Sequence, residues 1–208
     1  MDVARPYTAV TPTVHGDVLV VLAGTTRPMT GRDVARLVRR GTQPAVQASL
    51  DRLVEHGLVS REQAGRAKLH TLNRDHIAAP VVVQLANLRN ELLDRLRNLL
   101  GGWSPAVVHA SMFGSAARGD GDIGSDIDVF VVRHEAIDED DPSWRTQVDL
   151  LNQRVRAWTG NHASVVEVSE EDLDRLRREE PPVVKELQAD GIDLAGIRLR
   201  DMFGPAHA

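Results

Sequence analysis

Hydrophobic positions along the 208-residue chain change period several times, and each change marks an element. Val14–Gly24 is apolar and closes on Gly24, which predicts a short first helix. Thr30 and Asp33 have capping-box spacing, and Val34, Leu37 and Val38 follow, so a second helix is expected with its stop at Gly41. Thr42 or Gln43 can cap a third, with Pro44 in its first turn. Val46, Leu50, Leu53 and Val54 carry its helical spacing, and Gly57 ends it. The pattern then turns strand-like: Leu58–Ser60 and Lys68–Leu72 flank a polar turn containing Gly65. From Val81 it becomes helical again, with Leu85, Leu88, Leu92, Leu96 and Leu99 forming one apolar stripe that Gly101-Gly102 terminates. Such a stripe packs on its own core or on a second copy of the chain as a homodimer, and the first use is the commoner.

The remaining chain alternates strands and helices. Val107–Phe113 reads as a strand running into Gly114-Ser115 and a short helix through Arg118. Asp126-Ile127-Asp128 opens a second apolar strand, Val129–Val132. Asp141 caps a helix over Pro142–Thr159, in which Trp144, Val148, Leu151, Val155 and Trp158 make a stripe, so the tryptophans read as core rather than base-stacking platforms. Ala163–Val168 is the next strand; Ser169 with Asp172 and then Pro181-Pro182 open two further helices. His109, inside an apolar strand, reads as a core residue. The whole predicts an α+β protein with domains at 1–80 and 103–208 joined by a helix at 81–102.

Composition narrows the chemistry. The absence of cysteine excludes a disulfide scaffold, thiolate zinc sites and cysteine nucleophiles together. No apolar stretch is long enough to span a bilayer and no secretory signal is evident, so a cytoplasmic protein without membrane contact is expected. The net charge of −5 conceals a division: residues 1–80 hold 11 basic and 7 acidic side chains, residues 81–208 hold 14 and 23. Two modules with different partners would produce such an asymmetry. Lys68 and Lys185 are the only lysines, so arginine, with its phosphate-matching fork, supplies nearly all the positive charge; a compositional bias of the source genome is the better explanation of this.

Three helices with a short second-to-third turn, then a hairpin, resemble the winged helix-turn-helix of bacterial regulators. The phrase "ASLDRLVEHGL" at 48–58 is similar to the end of the recognition helix in that family. The resemblance implies that Thr42, Gln43, Gln47 and Ser49 meet bases in the major groove, while Arg52, Arg61, Arg66 and Lys68 meet phosphates or the minor groove. Winged helices also serve as protein-interaction modules, and a net charge of +4 is modest for a DNA reader, so both uses stay open.

The candidate chemistry lies in residues 107–128. Side chains alternate along a strand, so Asp126 and Asp128 project on one side, about 7 Å apart, while Ile127 points inward. Paired carboxylates call for a cation between them, and hard oxygen donors favour Mg²⁺ or Mn²⁺. Gly114 leaves space beside the backbone, and Ser115 brings a hydroxyl and an amide suited to phosphate. The phrase "FGSAARGDGDIGSDIDVFVV" at 113–132 resembles the signature of the polymerase β-like nucleotidyltransferases, especially the minimal ones. Gly-Ser, a gap of about ten residues, Ser-Asp-Ile-Asp and the Arg-Gly at 118–119 all match.

That resemblance, over roughly 104–200, implies a small mixed sheet with helices packed on one face. It also implies that Gly114, Ser115, Arg118 and Ser125 bind nucleotide and that Asp126 and Asp128 hold the metals. Its usual third carboxylate, on a later strand, is expected at Glu167, the only acid between Ala163 and Val168. The expected reaction moves NMP from an NTP, ATP foremost, to a hydroxyl of a protein, an RNA or a small molecule, releasing pyrophosphate. In the alternative, the chain is a DNA-binding regulator or antitoxin whose transferase fold senses nucleotide or binds a partner.

Overall fold

Two helices in the first half of the chain start where a side chain takes up a free amide. The computed structural model describes residues 1–38 and 40–204 and divides them into two units, Pro6–Arg89, and Met1–Arg5 together with the chain from Asn90. In the Pro6–Arg89 unit, α1 (Val14–Ala23) and the two-residue strand β1 (Met29–Thr30) precede α2 (Gly31–Leu37). The Thr30 hydroxyl accepts from the Asp33 amide at 3.2 Å, and the Asp33 carboxylate accepts from Thr30 in return, closing the predicted box. Helix α2 stops at Leu37, four residues before Gly41: Val38 is already extended, and Gly41, with φ of +95°, serves the following turn. Thr42 caps α3 (Gln43–Glu55), its hydroxyl accepting from the Ala45 amide.

Strand β2 (Val59–Ala64) pairs antiparallel with β3 (Ala67–Leu72), and β3 lies between β2 and β1. Strand β2 outruns the expected Leu58–Ser60 because everything after Val59 is exposed, so the backbone ladder rather than apolar alternation defines it. Val18, Leu22, Val34, Val46, Leu50, Leu53, Val59 and Leu72 fill the core. At its edge the buried Asp17 carboxylate accepts from the Tyr7 hydroxyl at 2.7 Å and from Arg40 Nε at 2.8 Å, which offsets its desolvation.

Helix α4 (Ala79–Gly101) carries the junction between the units, which falls between Arg89 and Asn90. Ala79 and Val82 belong to the first core, and Leu92, Leu93, Leu96 and Leu100 to the second. The expected single stripe through Val81 is therefore displaced: Val81 is exposed, since the two ends of the helix serve different cores.

In the second unit, β4 (His109–Phe113), β5 (Ile127–Arg133), β6 (Ala163–Ser169) and β7 (Ile192–Gly196) form a mixed sheet in the order β6-β5-β4-β7. The β5–β6 pair is parallel; β4 is antiparallel to both β5 and β7. Between them come α5 (Gly114–Arg118), α6 (Pro142–Thr159), α7 (Glu170–Glu179), α8 (Pro182–Asp190) and α9 (Leu199–Phe203). Helices cover both faces, rather than one as expected. Ala110, Met112, Ile127, Val129 and Val131 meet Leu96 of α4 and Trp144, Leu151 and Val155 of α6. Phe113, Phe130 and Val132 point the other way, onto Leu173 of α7, Leu187 of α8 and Met202 of α9.

Trp144 is fully buried, edge-on to Trp103 with ring centroids 5.2 Å apart, and Trp158 lies under the Arg95 guanidinium. His109 is buried with Nδ1 bonded to the Ile197 carbonyl, and burial pushes its pKa down, against the Ile197 bond and the Asp193 charge. Among the described residues no helix is long and apolar enough to cross a membrane.

Candidate active site

Alternation along β5 divides its side chains between the two layers, and the division decides which acids can meet. Ile127 is buried in one layer, while Asp128, half-buried, shares the other face with Phe130 and Val132. Asp126 is exposed just before the strand. Asp128 stands opposite Phe113, the last residue of β4, and opposite Ser164 of β6. The Asp128 carboxyl is pushed above its ordinary value by burial first, then by the neighbouring charges of Asp126 and Glu186; a hydrogen bond from Ser164 and the positive charge of Arg118 act against the rise. The Asp126 and Asp128 side chains are hard oxygen donors of the kind Mg²⁺ and Mn²⁺ take.

The Gly-Ser step is built around that carboxylate. Gly114 has φ of +66°, and a Cβ there would overlap Oδ2 of Asp128 and lie 3.2 Å from its Cγ. Glycine is required twice over, by conformation and by space. Ser115 follows, half-buried, and its carbonyl accepts the amides of Gly119 at 2.9 Å and Asp120 at 3.3 Å. The loop then passes close over the Ser115 side chain, since a Cβ at Gly121 would fall 2.9 Å from its Oγ. Ser125 folds the loop back: its hydroxyl accepts from the Asp122 amide at 2.9 Å and donates to the Asp122 carboxylate.

Arg118 is not a free cation. It pairs with Asp120 at 3.1 Å and approaches Asp190 of α8 at 3.8 Å, and the Asp120 bond leads the causes that raise its pKa.

Glu167 is a correction. It lies opposite Val131, on the face away from Asp128, and bonds Arg133 Nε at 3.2 Å in a cleft that also includes Glu139, Arg145 and Asn152. It lies three positions after Ser164, and an odd step on a strand reverses the face. On the Asp128 side the matching position holds Ser164, and the additional acids come from α8, Glu186 and Asp190, which no strand pattern could have pointed to. Among the described residues no group of three or more His, Cys, Asp or Glu side chains is close enough to hold a metal.

The Pro6–Arg89 unit distributes its candidates unevenly. Ser49 is a correction: it is fully buried in the core face of α3. Gln47 is half-buried against α2, where its Oε1 occupies the space beside Gly31, and it also donates to Asp51. Arg61 pairs with the same Asp51 at 2.8 Å. Thr42 is exposed with its hydroxyl committed to the cap, whereas Gln43, Arg52, Arg66 and Lys68 are exposed.

The nucleotidyltransferase domain model matches residues 89–194, just over half of the chain, and the chain belongs to that family. Its members transfer nucleotidyl groups and generally use an NTP with divalent metal, so the enzyme class is transferase. A crystal structure of a toxin–antitoxin with AMP-PNP is similar at 20% identity, covering 55% of this chain and 79% of that chain with a TM-score of 0.34. No curated protein matches.

Proposed function

We propose that this protein is a Mg²⁺- or Mn²⁺-dependent nucleotidyltransferase that moves NMP from an NTP, with ATP the first candidate, to a hydroxyl of a macromolecular acceptor. The observation that carries the reading is the seating of Asp128 against Gly114: the signature glycine leaves space that the signature carboxylate fills. Asp126 and Asp128 would hold the metal, which when bound neutralises phosphate charge and lowers the pKa of a coordinated hydroxyl. The chain's own groups then orient the substrate. Gly114 and Ser115 present backbone amides and a hydroxyl beside the Asp pair, and Arg118, once released from Asp120 and Asp190, can follow the pyrophosphate. The acceptor oxygen forms a bond to the α-phosphorus, the bond to the pyrophosphate oxygen breaks, and the hydroxyl proton passes to solvent. Glu167, held by Arg133 on the other face, takes no part.

The test is transfer from α-labelled NTPs into bulk RNA and cell protein with Mg²⁺. The wild type should label an acceptor, and the Asp126→Ala/Asp128→Ala double variant should not. Glu167→Gln should retain activity within about threefold, because an ion pair distant from the chemistry contributes little to the barrier. Equal labelling by wild type and double variant would refute the assignment.

We propose further that the Pro6–Arg89 unit is a winged helix-turn-helix that contacts nucleic acid. Support comes from its element order, its β1-β3-β2 sheet and the exposure of Gln43, Arg52, Arg66 and Lys68. Binding to duplex DNA should weaken steeply with salt, by about one unit of log–log slope per phosphate contact. Absence of binding in low salt would discard this part.

A further inference from the structure

Asp126 lies outside the regular strand, exposed, and the strand ladder, which begins at Ile127, does not fix its position. The turn between α6 and β6 does. Asn161, 4% exposed in that turn, donates from Nδ2 to the Ser125 carbonyl at 2.8 Å, to the Ile123 carbonyl at 3.3 Å and to the Met1 carbonyl at 3.1 Å. Its own amide donates to the Thr159 hydroxyl at 3.0 Å, and its Oδ1 accepts from the Met1 amino group at 2.6 Å. One residue further, the His162 carbonyl accepts the Ile127 amide at 2.9 Å. Asp126 is therefore bracketed: the residue before it is held by the Asn161 side chain and the residue after it by the neighbouring backbone.

Met1–Arg5 belongs to the same arrangement. Val3 packs in the core beneath, and Ala4 lies 3.6 Å from where a Gly119 side chain would begin, at the start of the same loop. The segment that precedes the Pro6–Arg89 unit in the chain thus lies against the loop of the transferase unit.

We infer that Asn161 is a positioning residue for Asp126, holding the loop 119–126 so that Asp126 and Asp128 face one cation. The inference rests on the proposed metal role of that pair, but the bracketing itself can be tested without it. A buried amide satisfied on both its oxygen and its nitrogen specifies one arrangement of the segments it joins. Replacing the nitrogen by oxygen sets a carboxylate against three carbonyls while leaving the volume unchanged.

Asn161→Asp is the variant to make, with hydrogen exchange of residues 119–127 measured in the metal-free protein beside Mn²⁺ titration. Exchange in that segment should accelerate about tenfold or more while strands β4 and β5 stay protected. The Mn²⁺ half-saturation should rise about 10–100-fold, the usual consequence of losing a group that orients a ligand. Unchanged exchange in the segment overturns the inference. If the wild type itself binds no Mn²⁺ the metal reading fails, and exchange still decides the role of Asn161. Should Asn161→Asp not fold, Asn161→Ser, which also lacks the Nδ2 donor, is read by the same two measurements.

Discussion

Asp128→Asn is expected to abolish transfer and at the same time to stabilise the metal-free protein. The sign follows from the direction of the shift. Burial and the Asp126 charge raise the Asp128 carboxyl above its ordinary value, so folding favours its protonated form. Below the unfolded-state pKa the group is neutral in both states and contributes nothing to stability. As pH rises through the folded-state pKa the charge appears in the native protein at a cost, and that cost persists at neutral pH. Asparagine removes the charge while keeping the shape, so the melting temperature at pH 7 should rise, and the gain should vanish in acid. Added Mn²⁺ should stabilise the wild type and leave the variant unmoved. Transfer should fall by about 10³-fold, because a metal ligand supports several kcal/mol of charge stabilisation in the transition state. A variant less stable than wild type at pH 7, measured without metal, would contradict this assignment of strain to function.

Gly114→Ala carries the second large expected effect. A methyl group at that position overlaps the Asp128 carboxylate, and φ of +66° is unfavourable for any residue with a Cβ. The conformational part alone costs about 1–2 kcal/mol. Relief by rotating Asp128 or shifting α5 displaces the carboxylate from Ser115, and misplacement by about 1 Å in a reacting site can cost 10²-fold in rate. Thermal unfolding and transfer rate should therefore both fall, unlike Asp128→Asn, where they part company. Retained activity with an unchanged melt would show that the close approach of Gly114 and Asp128 is dispensable.

How far the sequence carried these conclusions depended on the distance over which each feature is determined. Caps and turns are local, so the Thr30–Asp33 box, the Asp141 cap and the Gly-Ser step could be read from a few adjacent residues. Alternation around Ile127 placed Asp128 on one face of its strand for the same reason. The face that Glu167 occupies is not legible locally because it depends on register between β5 and β6, two strands joined through the whole of α6. Which face Glu167 takes within a run of valines is set only by the pairing of Ser164 with Asp128 on the parallel neighbour. Asn161, bonded to residues 36 and 160 positions away, had no sequence signal at all. Ser49 departs from expectation for a simpler reason: a small polar residue on an amphipathic helix is not excluded from its buried face.

The central claim is that the α-phosphoryl group moves with its nucleoside. It is tested most directly by incubating the wild-type protein and an acceptor extract with ATP labelled either at the α- or at the γ-phosphate. The account predicts acid-stable α-label on the acceptor, γ-label recovered only as pyrophosphate, and neither transfer from Asp128→Asn. Gamma-label on the acceptor, or α-label on none with any of the four NTPs, would contradict it.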